Sequence, residues 1–225
     1  MTNKIATEQK TEKINSTGPS RNSLILSATL NIIIVIASMI GNVMAYNRNG
    51  LQITEAYTID SNIFAVIACG IYGAMLIRQI ATGKEIPKVA RMMKYMAVCY
   101  LSLTFIVVVL VLAPMFGLEG YKTMLFSGDM LYHHLISPVL AFLTFILYDF
   151  VPDKATKASG IAMIMTIIYA IVVTILNIAK VLVGPYPFFH VYEQPIYMSC
   201  LWFVIILGGA WAIAFFLAKL KGKRN

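Results

Sequence analysis

Six long apolar stretches, separated by shorter polar ones, organise this chain. They run over Leu24–Tyr46, Tyr57–Ile80, Tyr95–Phe116, Asp129–Asp149, Gly160–Val183 and Ile196–Ala218. Each is close to the roughly 20 residues an α-helix needs to cross a bilayer. The pattern predicts an all-α polytopic membrane bundle of six transmembrane helices. Residues 1–22 read as a polar cytoplasmic tail, expected to be disordered. Residues 23–218 read as the transmembrane domain, and residues 219–225 as a basic cytoplasmic tail. The polar start offers no cleavable signal, so the first span is expected to act as its own insertion signal. No internal repeat is visible, which weakens an inverted-repeat transporter.

Composition agrees. The 225 residues are 59% hydrophobic and 12% charged, against about 25% charged in a soluble domain. A net charge of +8 could suggest nucleic acid. In a membrane protein, however, the placement of Lys and Arg carries more meaning than their sum. Residues Lys4, Lys10, Lys13 and Arg21 precede the first span, and Arg78, Lys84, Lys88, Arg91 and Lys94 join the second to the third. Lys154 and Lys157 lie between the fourth and fifth, and Lys219, Lys221, Lys223 and Arg224 follow the sixth. Only Arg48, Lys122 and Lys180 fall on the other side. The positive-inside rule then places both termini in the cytoplasm. Cys69, Cys99 and Cys200 fall in or beside separate spans without metal-ligand spacing and read as free thiols.

With that orientation, the intramembrane polar residues gather at one depth. The second span enters from outside through "YTIDSN", Tyr57 to Asn62. The fourth enters through "DMLYHHLISP", so His133 and His134 lie about 6 to 8 Å below its outer end at 1.5 Å per residue. The fifth carries Asn177 and Lys180 in its last turns and is followed by "GPYPFFH". Thr58, Asp60, Ser61, Asn62, His134, Asn177 and Lys180 thus share the outer leaflet, with the inner halves nearly free of comparable groups. Facing polar groups inside a membrane are a functional-site hypothesis by default. Pro138 has no N–H for the carbonyl of His134 and its ring crowds it, so a kink is expected there that frees that carbonyl. His133 stands four residues after Asp129, within reach of a satisfying contact. His134 has no partner in its own helix and needs one from another span.

A neutral imidazole in a partly dry site can act as a general base. Thr58, at a compatible depth, can act as the nucleophile on an ester carbonyl. Asp60 or Asp129 could orient the imidazole, and Asn62, Lys180 or Tyr186 could donate to a developing oxyanion. Bland readings stand beside these. Thr58 could cap the second helix, with Asp60 and Ser61 in its acidic first turn. Lys180 could snorkel to the headgroups, and "PYP" could simply stop a helix. No Gly-x-Ser-x-Gly elbow and no His-Glu-x-x-His run is present. No metal site or cofactor is expected, and the three histidines lie toward one face, unlike the axial ligands of a two-haem membrane cytochrome.

The stretches "TIDSN", "LYHHLISP" and "GPYPFF", in this order and at these spans, resemble the androgen-induced (androgen-dependent TFPI-regulating) membrane protein family. The likeness is greatest to its bacterial six-span branch. The resemblance implies an intramembrane threonine hydrolase cleaving fatty acid esters of hydroxy fatty acids or similar lipid esters. Thr58 takes the nucleophile position. His134 takes the base position through its four-residue spacing to Pro138. The five-residue spacing of the animal proteins selects His133 instead, so the alternative base stays open. The implied partners are membrane lipids and a lipid-ester substrate, with no nucleic acid, in a bacterial plasma membrane. The competing reading is a non-catalytic lipid-binding or small-molecule transport protein.

Overall fold

The structure, a computed structural model, describes residues 19–221. It is all-α, and six of its helical stretches are long and apolar enough to span a membrane. The chain is a multi-pass integral membrane protein. The first crossing is α1 (Arg21–Asn49), the second α2 (Tyr57–Thr82) and the third α3 (Lys88–Val107), which leads into a short helix α4 (Gly117–Phe126). The fourth crossing is a single α-turn (Gly128–Leu131), a π-turn (Tyr132–Ile136) and α5 (Ser137–Tyr148). The fifth is α6 (Ala155–Ile178) and the sixth α7 (Ile196–Leu220).

Helix ends follow local chemistry. The Ser20 side chain accepts from the N–H of Ser23 at 3.2 Å and starts α1. Residues 21–22 are therefore helical, not part of a disordered tail as the composition suggested, because a cap satisfies one of the orphan donors. The rest of that predicted tail, residues 1–18, lies outside the described residues, as do residues 222–225 of the C-terminal one. Lys219 and Leu220 also belong to α7 rather than to the tail, with Lys219 laid over the Phe215 ring. Gly83, at φ +72, closes α2 in the left-handed region and returns its N–H to Gln79.

Packing makes α3 central. It touches α2, the fourth crossing, α6 and α7, while α1 packs along α2 and the fourth crossing, and α6 along α7. Outward faces carry Ile36, Val43, Leu143, Ile168 and Val204, all exposed. So continuous an apolar surface belongs against lipid.

Two helix defects share one cause. A π-turn over Val108–Leu112 ends two residues before Pro114, and the π-turn over Tyr132–Ile136 ends two residues before Pro138. In each, a backbone N–H reaches back five residues, Ala113 to Val108 and Ser137 to Tyr132. Proline cannot bond the carbonyl four residues earlier and crowds it, and the chain responds by widening the preceding turn. At Pro138 the expected kink thus takes the form of a widened turn that carries both histidines.

Candidate active site

The site lies at the end of the bundle that the charge distribution assigns to the outside, here termed the outer end. Thr58 is the second residue of α2, buried at 7% exposure. Ala56, not Thr58, is the N-cap of α2, so the threonine hydroxyl is not spent as a cap. Its Oγ1 lies 3.3 Å from His134 Nε2 and 3.1 Å from the Tyr186 hydroxyl. His134 Nδ1 lies 2.7 Å from the main-chain carbonyl of Met124.

That carbonyl decides the tautomer. A carbonyl only accepts, so Nδ1 carries the proton and Nε2 presents its lone pair to Thr58. The Thr58 hydroxyl then donates to Nε2 and accepts from the Tyr186 O–H. Tyr186 oxygen accepts in turn from the Thr58 backbone N–H at 3.2 Å. The relay from Met124 through His134 and Thr58 to Tyr186 is complete and neutral. Burial pushes the Tyr186 phenol above its ordinary range, partly offset by its bonds to Thr58, so it stays an O–H donor. The N-terminal end of α2 adds a positive partial charge where negative charge on Oγ1 would develop.

The backbone of Thr58 is held from below. Asn62 Nδ2 and Ser61 Oγ both donate to its carbonyl at 2.9 Å. Asn62 Oδ1 accepts from Ser38 of α1, which also contacts the Ser137 hydroxyl at 2.9 Å, and Ser61 meets Thr104 of α3 at 3.1 Å. Asn62 therefore spends one of its two amide N–H donors on the nucleophile's own carbonyl and fixes the backbone of Thr58 rather than reaching its hydroxyl. Tyr186 is aimed from the outside by aromatic packing: its ring stacks on Phe188 at 5.2 Å, and Phe188 packs on Phe189 and Trp202. Gly184, at φ +81, allows the sharp turn into that loop.

The adjacent histidine does something else. His133 Nε2 donates to Asn42 Oδ1 of α1 at 3.0 Å, and its Nδ1 stands 3.8 Å from Asp129, which forms a two-pronged ion pair with Arg48 at 2.8 and 3.0 Å. The ring fits only because residue 41 is glycine. A Cβ there would stand 2.7 Å from His133 Nε2. His133 is an interhelical tie between the fourth crossing and α1 through its Nε2.

Several expected site residues lie elsewhere. The Asp60 carboxylate makes no hydrogen bond or ion pair among the described residues and is half-buried, so it does not orient His134. Asp129 serves Arg48 and His133 instead. Lys180 falls beyond the last turn of α6 at φ +58, exposed, with its ammonium over the Tyr192 ring at 5.0 Å. Asn177 secures the following loop, donating to the carbonyls of Leu182 and Val183 and accepting from Val191 N–H. The inner end is also less apolar than expected, since Lys94 and Asp149 are buried there at 1% and 4% exposure. Residue Lys94 counts as a loop cation only when the third helix is started at Tyr95. It starts at Lys88, and this turns Lys94 inward.

Thr58 opens onto an apolar cavity of about 40 Å³, walled by Tyr57, Leu103, Val108, Tyr169, Phe189 and Ile206 among others. At roughly 10–15 Å³ per water it has room for about three or four waters. A long acyl chain enters only when these side chains part. A wider, open cleft of about 690 Å³ is lined by Met124 together with Arg48, Glu119, Thr123 and Ser127 among others. Among the described residues, no three His, Cys, Asp or Glu side chains gather as a metal-binding set. Compared with protein-family models, with curated proteins and with solved structures, the chain matches none.

Proposed function

We propose that the protein is an intramembrane lipid-ester hydrolase in which Thr58 is the nucleophile and His134 the base. The observation that carries this reading is a buried threonine hydroxyl facing the free imidazole nitrogen of His134, whose other nitrogen is tied to the Met124 carbonyl. Nucleophile, base and orienting group form the sequence that activates a hydroxyl for acyl transfer. The likeness of the Thr58, His134 and Tyr186 motifs to the androgen-induced family supports the same chemistry. It also suggests fatty acid esters of hydroxy fatty acids as a substrate class, and a bacterial plasma membrane as the setting.

In this mechanism, His134 Nε2 accepts the Thr58 proton as Oγ1 attacks the ester carbonyl carbon. Tyr186 shifts its O–H from Oγ1 to the carbonyl oxygen as that oxygen becomes negative, and the α2 N-terminus favours the same charge. Collapse breaks the ester C–O bond, and the imidazolium returns its proton to the departing alkoxide. A water then enters, gives a proton to His134 Nε2 and attacks the acyl carbon; the acyl C–Oγ1 bond breaks, His134 returns the proton to Thr58 Oγ1, and the carboxylic acid leaves. The acyl chain leaves the carbonyl through the apolar cavity, between rings that separate to admit it.

The test uses purified protein in detergent with a series of long-chain esters, and trapping of the acyl-enzyme by rapid acid quench. Turnover and an acyl adduct on Thr58 are expected in the wild type. Ester bound without turnover or adduct would favour a lipid-binding or transport role for the same cavity.

A further inference from the structure

The inner end of the bundle holds a second pair of chemically reactive groups, unrelated to Thr58. Lys94 of α3 is 1% exposed and Cys69 of α2 is 0% exposed. The Lys94 ammonium donates to Cys69 Sγ at 3.6 Å, and no other hydrogen bond or ion pair of that ammonium exists among the described residues. A thiol is a weak acceptor for a buried cation. Asp149 lies within electrostatic reach of Lys94, yet both its carboxylate oxygens are without a hydrogen-bond partner among the described residues. The Tyr72 hydroxyl approaches it without completing a bond. An amine and a thiol are thus pressed together, near a carboxylate that Lys221 and Arg91 also attract and that has no hydrogen-bond partner among the described residues.

We propose that Lys94 and Cys69 are a redox-sensitive modification site that closes into a covalent nitrogen–oxygen–sulfur bridge between α2 and α3, with dioxygen as the oxidant. The Lys94 ammonium first gives a proton to Asp149 and becomes a free amine. The amine then loses one N–H and the thiol its S–H. The O–O bond breaks, one oxygen joins nitrogen to sulfur through new N–O and O–S bonds, and the other leaves as water with the two hydrogens. Nitrogen and sulfur are oxidised and dioxygen is reduced. Dioxygen is apolar and dissolves readily in hydrocarbon, so a site buried in a membrane bundle is supplied with the oxidant while water-soluble reductants are kept away. The other two cysteines are built-in controls: Cys99 is buried and Cys200 exposed, and among the described residues neither has a lysine ammonium bonded to it.

The experiment compares protein purified in air with protein purified anaerobically, by intact mass and by peptide mapping without reductant. In air the wild type is expected to gain one oxygen less two hydrogens, to yield a linked peptide pair containing Cys69 and Lys94, and to unfold at a higher temperature. Dithiothreitol added to the denatured protein reverses the mass gain and releases the linked peptides. Cys69→Ser and Lys94→Met are expected to lose the mass gain and the linked peptides, with folding checked by gel filtration. If Lys94→Met does not fold, Cys69→Ser and the anaerobic wild type still decide the matter. An air-exposed wild type without the linked peptides, or one that only adds whole oxygens to sulfur, overturns the proposal.

Discussion

The two ends of the bundle solve the problem of buried polarity in opposite ways. At the outer end every group of the relay is neutral, and each donor meets an acceptor, from Met124 O through His134 and Thr58 to Tyr186. At the inner end the polar groups are ionisable and poorly matched, Lys94 on a sulfur and Asp149 near cations but without a hydrogen-bond partner for its oxygens among the described residues. Neutral hydroxyls and imidazoles can be closed into a chain by backbone groups at little desolvation cost. Charges keep demanding more partners than a helix bundle supplies. The outer arrangement is suited to holding a nucleophile ready, since nothing must rearrange before the proton moves. The inner arrangement is suited to being altered by a change of protonation or oxidation.

The largest effect is expected from removing the nucleophile. Thr58→Ala should lower ester turnover by about a thousandfold or more while leaving the protein folded. The fold survives because the mutation orphans only the Tyr186 hydroxyl and the His134 nitrogen, a loss of about 1–3 kcal/mol. An active Thr58→Ala protein would remove the outer relay from catalysis altogether.

The histidines give the next contrast. His134→Gln should cost about 10² to 10⁴ in kcat, the usual span for a general base. His133→Gln should chiefly lower stability, because His133 ties the fourth crossing to Asn42 and stands beside Asp129. If turnover instead disappears with His133 and persists without His134, the base has been assigned to the wrong residue of the pair.

These two residues also show what a sequence can and cannot reveal. The six spans were legible because a bilayer imposes one length and one composition on every crossing. Thr58, His134 and Tyr186 were legible as candidates because each breaks an apolar stretch or a helix end at a shared depth. Met124 was not, since it contributes only its main-chain carbonyl, and any side chain could stand on that backbone. Lys180 shared the depth but not the direction. Two residues past the end of α6 its ammonium sits over the Tyr192 ring, and depth alone says nothing about facing. Asn62 faced the right way, yet the helical i to i+4 spacing delivers it to the Thr58 carbonyl rather than to the hydroxyl. Lys94 was misplaced because a charged residue seven positions into a helix was counted with the loop before it.

Tyr186→Phe should lower kcat by about a hundredfold, the scale of losing one preorganised oxyanion donor. KM should change little, because the aromatic packing against Phe188 does not need the hydroxyl. A Tyr186→Phe enzyme with full kcat would reduce the tyrosine to a packing residue and leave the α2 N-terminus as the oxyanion support.

At the inner end the readout is stability. Lys94→Met and Asp149→Asn should both destabilise. Asp149→Asn should cost about 3–5 kcal/mol, because Lys94 is left buried without a counter-charge. Lys94→Met should cost less, because Lys221 and Arg91 still act on Asp149. The double variant should lose less than the sum, by about 0.5–3 kcal/mol of coupling. Ester turnover, measured below the unfolding temperature, should stay within a few-fold of wild type in all three. Strictly additive losses would mean that the two charges do not feel one another, and the inner end would be two separate defects rather than a cluster.

The smallest effect belongs to Lys180→Gly. Lys180 shares the depth of the site but is exposed and turned toward Tyr192, so kcat and KM should not change. Stability should move by less than about 1 kcal/mol, since glycine relieves the left-handed backbone at φ +58 and the cation–π contact that is lost is solvent-exposed. A drop in turnover here would place a cation in the oxyanion environment after all. The outer relay would then need a charge to work, and its neutrality would no longer separate it from the inner end.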